Sequence, residues 1–137
     1  MKHRVRAIII KGDKILVLKR VKKDSVYFVF PGGGVEENET KEVALRRECK
    51  EELSINVKVG ELILEMNSKK TETIGQREFF YICKIISGEL GTGAGPEFEP
   101  DSNYDGTHEL EWLDIKNLLN VDLRPKEITL KLNDIVN

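Results

Sequence analysis

Cysteine is scarce in this chain: Cys49 and Cys83 are the two in 137 residues. Both fall in apolar patterns, one on an expected helix and one on an expected strand, so they read as small buried hydrophobes rather than a disulfide or metal pair. Histidine is as rare. His3 and His108 lack the partner spacing of a zinc site and are expected at the surface. No stretch approaches the roughly 18 apolar residues that a bilayer span needs. The apolar run in MKHRVRAIIIKGDK is too short for a secretory signal and has no cleavage site, so none is expected. Charge of neither sign dominates: 22 basic residues face 24 acidic ones, net −2, which leaves no global basic field to attract nucleic acid or an anionic membrane. No internal repeat and no linker composition breaks the chain. These absences point to one domain over residues 1–137, in a reducing, cytoplasmic setting, with neither membrane nor nucleic acid expected as a partner.

What is present is patterned. Arg4 to Ile10 and Lys14 to Lys19 are β-rich runs around Lys11-Gly12-Asp13, a hairpin signal. Tyr27 to Phe30 is a short strand stopped by Pro31-Gly32-Gly33-Gly34. A helix follows, with Thr40 or Asn38 as N-cap, Glu42 in its first turn and its end near Leu53. Ile55 to Met66 reads as a strand with a bend at Gly60, and Asn67 to Ile74 as a turn. Gln76 to Ile86 contains REFFYICKII, apolar on both faces and hence a central strand. Ser87 to Gly106 is a long irregular loop, the kind that is functional or disordered in a compact domain. A strand around Trp112, a helical turn from Ile115 and a C-terminal helix follow. Pro125 falls in that helix's first turn, with Ile128, Leu130, Leu132 and Ile135 as candidate buried positions. The order predicts an α/β (α+β) domain with a mixed sheet between helices.

The helix after the glycines carries the chemistry. At about 100° per residue, Glu51, Glu48 and Glu52 share an arc of roughly 100°, while Leu45, Cys49 and Leu53 form a separate apolar stripe. Ala44 lies on the acidic arc and leaves space above it. Crowded like charges cost about 0.2–0.5 kcal/mol per i, i+4 pair. Either they are a solvated face offset by Arg46, Arg47 and Lys50, or they converge on hard divalent cations, which take oxygen ligands. The glycine turn is not a P-loop, because no Gly-Lys-Ser/Thr follows, nor a dinucleotide fingerprint. GTGAGPE, Gly91 to Glu97, is no phosphate cradle either, since no helix succeeds it.

Spacing decides between the two readings. Gly33, five residues, Glu39, seven residues, then Arg47-Glu48-Cys49-Lys50-Glu51-Glu52-Leu53-Ser54-Ile55 resembles the signature of the Nudix hydrolases over 23 residues. Gly33, Glu39, Arg47, Glu48, Glu51 and Glu52 all match. Ser54 stands where the family has glycine, at a position where an αL C-cap is common. Serine there costs about 1 kcal/mol, an order of magnitude set by glycine's freedom at positive φ. Cys49 replaces a larger aliphatic residue.

The resemblance implies an α/β/α sandwich and a Mg²⁺-dependent pyrophosphohydrolase, with Mn²⁺ as a substitute. Such an enzyme cleaves a nucleoside diphosphate linked to another moiety. It implies that Glu48, Glu51 and Glu52 bind metal or supply the base, with Glu48 and Glu52 the firmest ligands and the Gly32 carbonyl a backbone ligand. Arg47 orients the helix carboxylates and Glu39 braces the loop. The general base is expected at Glu51 or Glu48. In the late loop Glu97 leads Glu99, Asp105 and Glu109 as a further ligand or base. Tyr27 and Tyr104, at strand or loop edges, are the rings expected to hold a nucleobase. Arg4, Arg6, Lys19 and Arg20 alternate with apolar residues on the hairpin, as an exposed strand face or as phosphate contacts. Dimers are frequent in the family, so a homodimer is among the expected states. Two rival readings share these residues: a silent nucleotide-sensing module and an RNA 5′-end pyrophosphohydrolase.

Overall fold

The computed structural model describes residues 2–68, 75–90 and 107–136. Its frame is one mixed sheet. β1 (His3–Lys11) and β2 (Lys14–Lys22) form the expected hairpin around Gly12, whose φ of 63° suits glycine. β3 (Ser25–Val29) and β4 (Gly32–Gly34) follow, separated by Phe30 and Pro31. α1 (Lys41–Leu53) leads into β5 (Ile55–Asn67), and β6 (Arg77–Gly88) returns antiparallel to β5. β7 (Thr107–Asp114), a 3-10 turn (Ile115–Asn120), β8 (Leu123–Arg124) and α2 (Lys126–Val136) complete the chain.

The sheet forks. Along one path the order is β5-β6-β1-β2-β3-β8, with β4 added to β1 and β7 added to β2. β1 pairs with β2 only near their shared turn, at Ile9–Leu16, Ile10–Ile15 and Lys11–Lys14. Its other half pairs with β4, at Arg4–Gly34, Val5–Gly33 and Arg6–Gly32. On the edge of β2 that faces β1, β3 takes over along the second half, while β7 runs along the other edge from Lys14 to Val21. Two leaves therefore diverge from the hairpin, one carrying β4 and one carrying β3, and Phe30-Pro31 crosses between them. β6 pairs parallel with β1 and antiparallel with β5, so it is an interior strand, as its apolar sequence predicts, next to the edge strand β5. The register shift between Val59 and Leu62 places an irregularity at Gly60, where a Cβ would press on the Ile82 carbonyl.

Strand alternation sends side chains to two faces, each covered by a helix. Val5, Ala7, Ile9, Phe79, Tyr81 and Cys83 pack with Ala44, Leu45, Cys49 and Leu53 of α1. Ile8, Phe28, Phe30 and Phe80 pack with Leu118, Leu123, Ile128 and Leu132 on the α2 side. Phe30 and Phe80 meet edge to face, their centroids 5.9 Å apart. The α/β/α layering follows. Both cysteines are buried and free.

Three expectations change. Leu130 is 50% exposed, because it lies two residues from Ile128 and Leu132 and so on the far side of a 3.6-residue turn. Pro125 precedes α2 and its carbonyl accepts from the Ile128 amide, so it stands before the first turn rather than within it. Ala44 is fully buried in the α1 cluster and clears no space over the acidic arc. The side chain of Ile135 lies outside the described residues.

Candidate active site at the glycine turn and α1

Thr40 caps α1: its Oγ1 accepts from the Val43 amide at 3.1 Å. At the other end Ser54 adopts φ 62°, ψ 29°, and its amide donates to the Lys50 carbonyl. This is the left-handed C-cap that glycine usually fills. Between these caps the three glutamates have different surroundings. Glu52 is 2% exposed, Glu48 is mostly enclosed and Glu51 is half exposed.

The three glycines of β4 meet side chains of α1 in three ways. Gly32 has φ 149°, and a Cβ there would overlap the Val5 carbonyl oxygen, so this position admits only glycine. Its amide donates to Glu52 Oε2 at 3.4 Å, a long bond. At Gly33 the space that a Cβ would fill holds the Glu48 carboxylate. The Gly34 carbonyl accepts from Arg47 Nη2 at 3.0 Å. Glycine thus serves here to bring two helix carboxylates against backbone.

Arg47 is the hub. Nε and Nη2 donate to the two oxygens of Glu39, at 2.7 and 3.0 Å, in a bidentate pair. Nη1 donates to Glu48 Oε1 at 3.1 Å and to Glu51 Oε2 at 3.2 Å. The guanidinium thereby offsets the like-charge repulsion within the helix. Glu39 Oε1 also accepts from the Glu36 amide at 2.9 Å. The bonds from Arg47 and from that amide hold the Glu39 carboxyl below the usual carboxylate range, and the carboxylates of Glu39, first, and Glu48 raise the Arg47 guanidinium above its ordinary value.

Among the described residues no three acidic, histidine or cysteine side chains converge closely enough to cage an ion unaided. Mg²⁺ needs no such cage, since it keeps several waters and takes one or two carboxylates plus substrate oxygens. Glu52, enclosed against Gly32, and Glu48, seated in the Gly33 notch, are hard oxygen donors of that kind and fit such an ion.

The remaining predicted residues lie elsewhere. Tyr27 stands on the other leaf, opposite Arg20 in the β2–β3 ladder, with the Arg20 guanidinium 5.7 Å and that of Arg124 4.0 Å from its ring centroid. Arg124 is held by Asp122 through two bonds, at 3.1 and 2.9 Å. Tyr27, Arg124, Lys22, Lys23 and Ser25 line a concavity of about 320 Å³. Arg124 and the lysine pair carried no signal in the sequence beyond their charge. Arg6 is not on an exposed strand face: it is 7% exposed and paired with Glu78, a partner sequence reading did not single out. His3, partly exposed, packs edge to face on Phe79. Glu97, Glu99, Tyr104 and Asp105 lie outside the described residues.

Comparison with known proteins gives one family. The model of the NUDIX domain matches residues 1–132. A Methanocaldococcus jannaschii protein named ADP-ribose pyrophosphatase is 36% identical over 118 residues, 83% of this chain and 62% of that protein. A Caenorhabditis elegans protein named as a nudix hydrolase is 31% identical over 135 residues, 95% of this chain and 32% of that one. The chain thus spans less than two thirds of the length of either. Among solved structures, the E. coli ORF135 protein superposes with a TM-score of 0.67 at 26% identity, over 99% of this chain and 89% of that one.

Proposed function

The chain belongs to the Nudix family, and from that premise we propose that it is a divalent-metal-dependent hydrolase of a nucleoside diphosphate linked to another moiety. The observation that carries the reading is the convergence of Glu48 and Glu52 on the Gly32-Gly33 turn while Arg47 ties Glu39, Glu48 and Glu51 together.

Each residue then has a task. Glu48 and Glu52, with the Gly32 carbonyl, would hold Mg²⁺ or Mn²⁺. The bound ion supplies charge neutralisation on phosphate oxygens and a more acidic water. Glu51 has one oxygen tied to Arg47 and stands half exposed, so its carboxylate is open to a water. It takes the proton from that water as the oxygen attacks phosphorus. The P–O bond to the leaving phosphate breaks, giving two phosphorylated products. Arg47 keeps the carboxylates aimed, and Glu39 and Gly33 keep the loop in register. Tyr27 and Arg20, on the second leaf, would contact the substrate beyond its diphosphate, with a nucleobase on the Tyr27 ring.

The name of the M. jannaschii relative makes ADP-ribose the first compound to try. A panel of ADP-ribose, nucleoside triphosphates, sugar nucleotides and 5′-triphosphate RNA should be incubated with Mg²⁺ and the products separated. Wild type should turn over at least one diphosphate, and Glu52→Gln should lose that activity by orders of magnitude. Equal turnover by both proteins would sink the carboxylate–metal mechanism. Nucleotide retained without product would favour the silent binding module.

A further inference from the structure

A buried ion pair lies under the glycine turn with no part in the chemistry so far described. Arg6 Nε donates to Glu78 Oε1 at 3.0 Å, with the two side chains 9% and 8% exposed. Desolvating two charges is costly, and well-packed apolar residues often stabilise a core as well or better. A stability role alone therefore accounts poorly for the pair.

Its second contact suggests the reason. Arg6 Nη1 also donates to the Phe30 carbonyl, at 3.3 Å. Phe30 is two residues before Gly32, in the segment that crosses between the leaves. The next carbonyl, of Pro31, accepts from the Ala7 amide at 2.8 Å. The residue after that, Gly32, stands opposite Arg6 in the β1–β4 ladder, pressed on the Val5–Arg6 backbone. Three consecutive residues are thus fastened to β1, the first of them by a side chain. Val5 and Ala7 pack with α1, so by strand alternation Arg6 faces the other side, where Phe30 and Phe80 lie. The turn is gripped from both faces: Glu52 of α1 takes the Gly32 amide on one, Arg6 takes the Phe30 carbonyl on the other.

We propose that Arg6 and Glu78 are positioning residues that fix the Phe30–Gly32 segment and so set the cation affinity of the Glu48–Glu52 site. The proposal rests on the metal-binding reading above. Glu78 holds the guanidinium fork so that Nη1 keeps facing Phe30, and it keeps the buried charge paired. Neither residue touches the reacting atoms. Losing them should weaken the cation and slow turnover while leaving KM for the nucleotide nearly unchanged.

The test is Mn²⁺ titration of the whole chain, with free Mn²⁺ read by electron paramagnetic resonance and thermal midpoints and steady-state kinetics recorded alongside. The arms are wild type, Glu52→Gln, Arg6→Lys, and the double replacement Arg6→Met with Glu78→Leu. The double replacement exchanges the pair for apolar volume, so its midpoint should equal or exceed that of wild type. Its Mn²⁺ dissociation constant should nevertheless rise by about tenfold or more, the range found when residues supporting metal ligands are removed. Arg6→Lys keeps the charge pair but loses the planar fork, and should weaken Mn²⁺ in the same direction. Wild-type Mn²⁺ affinity in a folded double replacement overturns the proposal. If that protein fails to fold, wild-type affinity in Arg6→Lys overturns it equally. Mn²⁺ binding by wild type that Glu52→Gln leaves intact removes the metal-site reading itself, and the proposal with it.

Discussion

Replacing Ser54 by glycine should stabilise the protein, and the size of the gain follows from one backbone angle. Ser54 closes α1 at φ 62°. A residue with a Cβ pays about 1–2 kcal/mol in that region. Glycine avoids this cost but carries more freedom into the unfolded chain, a loss of about 0.4–1 kcal/mol. The net gain is about 0.5–1 kcal/mol. Unfolding entropy near the midpoint is about 2.1 cal/mol/K per residue, so for 137 residues it is about 0.3 kcal/mol/K. Ser54→Gly should therefore raise the thermal midpoint by about 2–3 °C. Circular dichroism melts and urea unfolding with an unchanged m-value would measure it. Ser54→Ala is the control: alanine pays the same left-handed cost and should give no gain. Ser54→Asn should fall between, since asparagine tolerates that conformation. A glycine variant no more stable than the alanine one would refute the strain argument. Glu52 is two residues away, but its link to Gly32 does not depend on the cap, so metal-dependent turnover should be unchanged.

Arg47→Met leaves Glu39, Glu48 and Glu51 without their shared partner; it should cost about 1–3 kcal/mol in chemical denaturation and reduce turnover about 10–100-fold. Arg47→Lys should recover little, because an ammonium cannot reproduce the bidentate pair with Glu39. The Glu39 carboxyl is depressed below 4.5 in the folded protein, chiefly by its bonds from Arg47. Its contribution is thus present above the unfolded value and lost as pH falls through the folded one. Melts from pH 7 to 3 should show an acid-side decline that is shallower in Glu39→Gln, and identical slopes would contradict this. Burial pushes the Cys49 thiol up strongly and that of Cys83 up to about 12, so neither should react with a thiol reagent at pH 8 until the protein is unfolded. Rapid labelling of the native protein would show that the α1 face opens.

Local signals proved readable and distant ones did not. The N-cap follows from short-range rules, which offer Thr40 or Asn38, of which Thr40 caps the helix, and the left-handed residue at position 54 follows from the glycine that the family pattern has there. The interior place of β6, paired on both edges, follows from its two apolar faces. The burial of Arg6 could not be read, because Arg4-Val5-Arg6-Ala7 alternates like a half-exposed strand and its partner Glu78 is 72 residues away. The differing exposure of Glu48, Glu51 and Glu52 depends on where β4 lies across the helix. Spacing on a helical wheel cannot report that. The separate uses of Gly32, Gly33 and Gly34 depend likewise on β1, Glu48 and Arg47.

The fork in the sheet has a consequence for how this molecule can change. β1, β4 and α1 hold the acidic site, whereas Tyr27, Arg20 and Arg124 stand on the leaf of β2, β3 and β8. The hairpin joins the leaves at three paired positions, and Phe30-Pro31 bridges them again. Substitutions on the second leaf can therefore accumulate without shifting the carboxylates, as interchangeable tips are swapped on a fixed handle. A library confined to positions 20, 22, 23, 25, 27 and 124 would explore ligand preference with the glycine turn left intact.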